Sequence, residues 1–305
     1  MLARPGLPAF DYVRAESLDG AVAALREYNG AAKLMMGGTD LLPGMRDGAL
    51  RPQVVLDVKQ LPGMRDIAFD KEAGLTVGAA VTMNELAASE VVQSQYGVLA
   101  EAANTVASYQ IRNRATIGGN LCNASPCADT SPAVLVLEGQ MVAFGSNGKR
   151  LIPAAEFFLG PGTTSLRRDE LLTAIRFPVP PLGSAGRYDK LGRCKAGDLA
   201  LVGVAILAWP DDTVEAGYRV RIALGSVAPV PLRVKEAERS LASQPPGEQA
   251  FALAANLAHE AATPISDVRG GAEYQKDMVH TLTVRGLRGV WGQLSDDWFN
   301  GGQSL

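Results

Sequence analysis

Apolar residues at Leu18, Ala21, Val22 and Leu25 recur with helical spacing behind Ser17, which predicts a helix over 17–29 that Asn29-Gly30 ends. A short buried strand follows over 32–36. Gly37-Gly38 breaks it, and Thr39-Asp40 supplies a cap for a short helix ending near Gly48. The apolar run at 53–58 predicts the next strand, and 75–79 another after Pro62-Gly63. Thr82 and Glu85 form a capping box ahead of Leu86, and Leu99, Ala102, Ala103 and Val106 mark one helix face. A polar, glycine-containing stretch then spans 110–120. Pro132 precedes an apolar helical run over 133–137. Asn147-Gly148 joins strands over 141–145 and 150–152 as a hairpin, and 171–177 reads as a last strand before a break.

Pro178, Pro180 and Pro181, with Gly183 and Gly186, mark a linker. Beyond it, 199–209 and 218–227 are long strand candidates separated by a turn at Asp211-Asp212. Helices are expected near 234–242, 248–262 and 272–288. Strands first and helices later point to an α+β layer domain. The tail over 291–305 is expected to add no domain, with fraying from Asn300 onward.

A length of 305 residues suits two domains with a core that needs no disulfides. The net charge of −3 argues against a nucleic-acid footprint, which would need a basic face. Cys122, Cys127 and Cys194 are the three cysteines, one short of the four thiolates an all-cysteine iron–sulfur cluster takes. With only His259 and His280 available, neither a zinc site nor a Ser-His-Asp triad has much to draw on; no metal or catalytic residue is assigned. The sequence offers no secretory signal and no apolar run of membrane-spanning length, so the expected location is the cytoplasm.

Two glycine turns carry the candidate chemistry. In Lys33-Leu34-Met35-Met36-Gly37-Gly38-Thr39-Asp40 a strand runs into two glycines and a helix start. Backbone N–H groups there can form an anion-binding nest, or the glycines can serve turn geometry alone. It is not the G-x-G-x-x-G of a dinucleotide fold. In Thr116-Ile117-Gly118-Gly119-Asn120 a second pair sits between a hydroxyl and an amide, and Asp129 follows nine residues on. Together the turns suggest one diphosphate held between subdomains.

The run from Gln110-Ile111-Arg112-Asn113-Arg114-Ala115 through Thr116–Asn120 to Leu121-Cys122, with Ala124-Ser125-Pro126 and Asp129, resembles the FAD-binding subunits of the xanthine dehydrogenase and carbon monoxide dehydrogenase family of molybdenum hydroxylases. Met36-Gly37-Gly38-Thr39-Asp40-Leu41-Leu42 matches that family's first FAD loop, and the likeness runs from Phe10-Asp11-Tyr12 to Tyr274. The resemblance implies an α+β chain. A PCMH-type (vanillyl-alcohol-oxidase-like) FAD-binding domain over 1–177, with subdomains of about 1–58 and 59–177, precedes a smaller C-terminal α/β domain over 178–290 with a three-stranded antiparallel sheet.

It also implies roles. Lys33 to Leu41 would wrap the FAD diphosphate, and Ala115, Thr116, Ile117, Gly118, Gly119 and Asn120 would complete the cradle, with Val106 also at the cofactor. Asp129 would meet its polar middle. Leu172 would pack against the flavin or adenine side, or else be plain core. Tyr188 and Lys190 belong to the segment that reaches the isoalloxazine ring, where a cation stabilises reduced, anionic flavin; alternatively Lys190 is a solvated surface lysine. In such a complex a large subunit holds the molybdenum cofactor and a small subunit two [2Fe–2S] clusters. Electrons reach this FAD and leave to a terminal acceptor, and the heterotrimer is commonly doubled. Thr39 stands where carbon monoxide dehydrogenases usually have His, which weakens carbon monoxide as the substrate. Cys122 and Cys127 read as packing residues. Arg112, Arg114, Arg167 and Arg168 either meet the small subunit or are solvated charge. Asp267-Val268-Arg269 and Tyr274 read as structural. The rival readings are a stand-alone FAD oxidoreductase of related fold and a non-enzymatic nucleotide-binding scaffold.

Overall fold

Val54–Asp57 (β3) is buried at all four positions because it is the middle strand of a parallel sheet, between Asp11–Arg14 (β1) and Ala32–Met35 (β2). The computed structural model describes residues 6–194 and 197–301. Leu18–Tyr28 (α1) lays Ala21, Val22 and Leu25 against this sheet; the Ser17 hydroxyl accepts from Gly20 N at 3.0 Å, and Asn29 ends the helix with φ 40°. Leu41–Arg46 (α2) follows the first glycine turn, though Asp40 makes no side-chain cap bond.

Five antiparallel strands form the second sheet: Ile67–Asp70 (β4), Gly74–Gly78 (β5), Gln140–Gly145 (β6), Gly148–Pro153 (β7) and, in the centre, Leu171–Phe177, which is β10 because a small ribbon of Phe158–Gly160 (β8) and Thr163–Thr164 (β9) precedes it. Gly148, at φ +82°, turns the β6–β7 hairpin. A bulge between Leu172 and Ala174 interrupts the β10–β6 ladder, while on the other edge of β10 the Thr173 carbonyl accepts from Ala79 N at 2.9 Å and carries the β5–β10 register one residue further. Short helices Met83–Ala88 (α3), Tyr109–Arg112 (α6), Ile117–Cys122 (α7) and Ala154–Phe157 (α9) complete this region. The Thr82–Glu85 capping box forms, with Thr82 N donating to Glu85 Oε2 at 2.8 Å.

Near the β6–β7 hairpin, Arg150 donates to both carboxylate oxygens of Glu170 at 2.7 and 2.8 Å. These charged hydrogen bonds hold the Glu170 carboxyl below its ordinary range. A depressed carboxyl gives stability that is present above its unfolded pKa, about 4.3, and is lost as pH falls through the lower folded value. The wild-type protein is therefore expected to lose stability more steeply than Glu170→Gln in denaturant titrations taken below about pH 4.3. Parallel acid limbs would remove the pair from that account.

The other sheet is antiparallel and has four strands, not the three expected: Ala185–Leu191 (β11), Val202–Pro210 (β12), Tyr218–Gly225 (β13) and Leu232–Arg233 (β14). The extra strand at the expected linker's end, β11, carries Arg187, Asp189 and Lys190, whose charges are all paired. On one face of the sheet, Val202, Val204, Ile206, Ile222 and Leu224 pack with Ala237, Leu241, Phe251, Ala254, Val279 and Leu287. These come from Lys235–Ala242 (α10), Glu248–Ala261 (α11) and Ala272–Gly301 (α12). Helix α12 runs past residue 288, where the apolar pattern placed its end, so residues 291–301 of the expected tail are helical. Residues 302–305 lie outside the described ones. The other face is covered by Gly97–Thr105 (α5) and Thr130–Val136 (α8), with Glu90–Gln95 (α4) ahead of α5. Both faces are thus covered, and eight of the nine β12 residues are buried.

Contacts group the chain into two compact units: 1–86, 109–124 and 139–177 in one, and 87–108, 125–138 and 178–305 in the other. The division is not sequential, since 87–108 and 125–138 group with residues that follow them by forty or more positions. Among the described residues no helix is long and apolar enough to cross a membrane.

Candidate functional site

The first unit builds its site from the edge of β5. By fixing Ala79, the β5–β10 pairing positions a segment over 79–83 that pairs with 115–118. Gly118 N donates to Ala79 O at 2.9 Å, Ile117 N to Val81 O at 3.0 Å, and Met83 N to Ala115 O at 2.9 Å. The 115–118 segment is thereby locked in place, and its preceding residues form a wall for the first glycine turn. A Cβ on Gly37 would overlap the Arg114 carbonyl oxygen and lie 2.8 Å from its carbon and 3.2 Å from Ala115 Cα. Gly38, at φ +74°, adopts the left-handed backbone that glycine tolerates. Thr116 Oγ1 reaches Met36 Sδ at 3.8 Å, a second tie between the two turns.

Among the described residues no acceptor meets the backbone N–H groups of Gly37, Gly38, Thr39 and Asp40. The two glycines and Thr39 are part-exposed, Asp40 and Lys33 are exposed, and Met36 is buried beneath; Leu34, Met35 and Leu41 are part-exposed. Consecutive uncommitted N–H donors at an open turn are what a diphosphate requires, so the residues present fit FAD's anionic middle.

The second turn is spent differently. Ile117 N and Gly118 N bond to the 79–83 segment, Gly119 N donates to Thr116 Oγ1 at 3.1 Å, and Asn120 N to Thr116 O at 2.9 Å. Its glycines serve close packing: a Cβ on Gly118 would sit 2.6 Å from Ala79. This turn therefore presents side chains, not a second nest; Gly119 and Asn120 are part-exposed, while Ala115, Thr116, Ile117 and Gly118 are buried. Leu172 is 0% exposed in the sheet core, which matches its packing alternative.

The second unit gathers Asp129, Tyr188 and Lys190. Strand alternation sends Tyr188 and Lys190 to the α5/α8 face, while Arg187 and Asp189 pair with each other at 2.7 Å on the opposite face. Tyr188 Oη donates to Asp129 Oδ1 at 2.9 Å, and Lys190 Nζ to Asp129 Oδ2 at 2.7 Å and Thr105 O at 2.9 Å. Burial pushes the Asp129 carboxyl upward, and the Lys190 ammonium pulls against it. Burial also holds the Tyr188 phenol well above its ordinary range, so it stays a proton donor. Lys190, 11% exposed, is neither a solvated surface lysine nor an uncompensated cation, because Asp129 neutralises it in place. Gly203 makes the seat for the phenol; a Cβ there would lie 2.5 Å from Tyr188 Oη.

Two participants escape sequence reading. Glu101 Oε2 accepts from Tyr188 N at 2.7 Å, and Thr105 lends its carbonyl to Lys190. They stand one helical turn apart on α5, and a four-residue rise of about 6 Å matches a two-residue strand step of about 6.6 Å. The i, i+4 spacing was the available signal. Val106, 8% exposed, is the C-cap that follows. Burial pushes the Cys122 thiol up to about 12, consistent with a packing residue. Cys127 instead accepts from Arg269 Nη1 at 3.0 Å, and Arg269 also pairs with Asp267 at 2.5 Å, a structural tie for the 267–269 turn.

Comparison with known proteins identifies the family. The family model described as the FAD binding domain in molybdopterin dehydrogenase matches residues 8–180, and the CO dehydrogenase flavoprotein C-terminal domain matches 187–290. The carbon monoxide dehydrogenase medium chain of Hydrogenophaga pseudoflava is 35% identical over 94% of this chain and 98% of its own. The glyceraldehyde dehydrogenase medium chain of Sulfolobus acidocaldarius is 30% identical over 93% and 99%. The solved carbon monoxide dehydrogenase from H. pseudoflava superposes with a TM-score of 0.89 at 35% identity, covering 94% of this chain and 98% of that one. This chain belongs to the family of FAD-binding medium subunits of molybdenum hydroxylases.

Proposed function

We propose that this chain holds one FAD with its diphosphate on the Gly37–Asp40 turn. It passes electrons arriving from the [2Fe–2S] clusters of a small subunit to a terminal acceptor, while a large subunit hydroxylates the substrate at its molybdenum cofactor. The supporting observation is the row of uncommitted N–H donors at Gly37, Gly38, Thr39 and Asp40, walled by Arg114 and Ala115, in a chain that matches FAD-binding medium subunits along nearly its whole length. Bound FAD supplies the exchange between one-electron and two-electron carriers; this chain positions the ring and sets its electrostatic surroundings. In the first unit the part-exposed Asn120 adds to this surface; within the second unit Asp129, Tyr188 and Lys190 form a buried, charge-balanced cluster rather than a bare cation.

Carbon monoxide and glyceraldehyde dehydrogenases both use such a medium chain, so substrate choice is assigned to the large subunit. We assign 1–177 as the FAD-binding domain, 178–290 as the C-terminal domain, and the cytoplasm as the location. Native co-purification with metal and flavin analysis tests the reading. FAD, iron and molybdenum are expected together, with one large and one small subunit. A chain that arrives alone with FAD and oxidises a substrate unaided points to the stand-alone enzyme, and one that takes up no flavin sinks the reading.

A further inference from the structure

We propose that Met35 is an oxidation site, at which a hydroperoxide converts the thioether to the sulfoxide and so loosens the chain's hold on FAD. This rests on the reading above, in which the Gly37–Asp40 turn takes the diphosphate, and adds a way of releasing it. Met35 is the last residue of β2, two positions before the turn. Its backbone is anchored, because its carbonyl accepts from Val58 N at 3.2 Å. Its side chain lies on the turn. Met35 Sδ is 3.6 Å, and Leu42 Cδ1 3.4 Å, from the point where a Cβ on Gly38 would stand. Thioether and leucine thus converge on the side that Gly38 leaves empty, and Leu42 N donates to Gly38 O at 3.1 Å. The sulfur therefore packs beside the left-handed residue, φ +74°, within the row of uncommitted N–H donors.

Accessibility singles out this sulfur. Met36, Met45, Met64, Met83 and Met141 are all buried. Among the described residues the part-exposed methionines are Met35 and Met278, and Met278 packs on the core of the second unit, away from any glycine turn. Met36, next to Met35, is further covered by Thr116, whose Oγ1 donates to its Sδ at 3.8 Å. In the oxidation a sulfur lone pair attacks the terminal peroxide oxygen. An S–O bond forms as the O–O bond breaks, and the displaced oxygen takes a proton and leaves as water or an alcohol. The sulfur gives two electrons and the hydroperoxide is reduced. An apolar side chain becomes polar, with a partly negative oxygen. That oxygen stands beside donors that lack an acceptor, where it competes with the diphosphate for them and repels its charge. A reductase that spends a dithiol removes the oxygen as water, so the change is reversible.

The test treats the FAD-loaded full-length chain with limited hydrogen peroxide, for wild type, Met35→Leu and Met278→Leu. Peptide mass mapping locates the added oxygen, flavin fluorescence across a dilution series gives Kd for FAD, and circular dichroism follows the fold. Peroxide is expected to oxidise Met35 and to raise Kd by about tenfold in wild type and in Met278→Leu, with the fold intact and with recovery after a methionine sulfoxide reductase. In Met35→Leu, whatever its starting affinity, peroxide is expected to leave Kd where it was. The proposal is overturned if Met35 stays unmodified while Met278 is oxidised, if Met35 sulfoxide forms without a change in Kd, or if Met35→Leu loses FAD to peroxide as wild type does. Loss of FAD only together with loss of the fold overturns it too. An untreated wild-type chain that holds no FAD instead overturns the functional reading beneath it.

Discussion

Replacing Gly37 with alanine is expected to strip FAD from the purified chain, weakening its binding by at least about a hundredfold. The added Cβ overlaps the Arg114 carbonyl oxygen, which is backbone and has no rotamer to escape into. Arg114 cannot retreat easily, because Ala115 O and Ile117 N are both bonded to the 79–83 segment. The turn itself must therefore move by about an ångström or more to restore normal contact. Hydrogen bonds from backbone N–H to a charged phosphate are worth about 1.5–3 kcal/mol each, so losing two accounts for the expected change. Gly97→Ala, where a Cβ meets open space, is the matched control and is expected to leave flavin content intact. The measurement is the flavin-to-protein absorbance ratio after gel filtration, with circular dichroism to confirm folding. A folded Gly37→Ala protein with stoichiometric FAD would show that the diphosphate lies elsewhere.

The second large effect lies at Asp129. Asp129→Ala leaves the Lys190 ammonium 11% exposed with only the Thr105 carbonyl for company. Breaking a buried pair by removing one partner costs about 3–5 kcal/mol, chiefly through the stranded charge. Removing both charges, as Asp129→Ala with Lys190→Met, relieves that penalty, so the double variant is expected to be more stable than Asp129→Ala alone. Denaturant unfolding of the two singles and the double reads this as a coupling energy. If Asp129→Ala costs less than about 1 kcal/mol, the ammonium finds water there, and the charge-balanced cluster of the second unit is wrong.

How much of this was legible in the chain follows from how local each feature is. Helix α1, the Asn147-Gly148 hairpin and the Thr82–Glu85 box depend on neighbours within a few residues, and the structure has them where the pattern put them. Strand β1 went unseen because its burial is slight and its order comes from pairing with β3, some forty residues away. Strand β11 was hidden by its charges, each neutralised by a partner that sequence spacing does not reveal. The glycine turns teach the same lesson. The first could be read as strand and break, though not as a side-chain cap. That the second has no backbone donors left depends on the 79–83 segment, which pairing to a strand ninety residues on holds in place. Lys190 was legible as a candidate position but not as half of an ion pair, since Asp129 lies sixty-one residues before it.

Because each compact unit is assembled from three separate stretches, the order of synthesis matters. The first unit lacks its central strand β10 until residue 177 has left the ribosome, and helices α5 and α8 wait longer still for the sheet they cover. At about 5–20 residues per second the nascent chain spends seconds with those apolar faces uncovered. A cut at residue 178, the natural place to divide the sequence, would leave the C-terminal piece without the Pro126 carbonyl that accepts from Ser226 N and without the Val136 carbonyl that accepts from Arg221. That boundary thus leaves the first unit whole and splits the second, which has to be assembled from both sides of it.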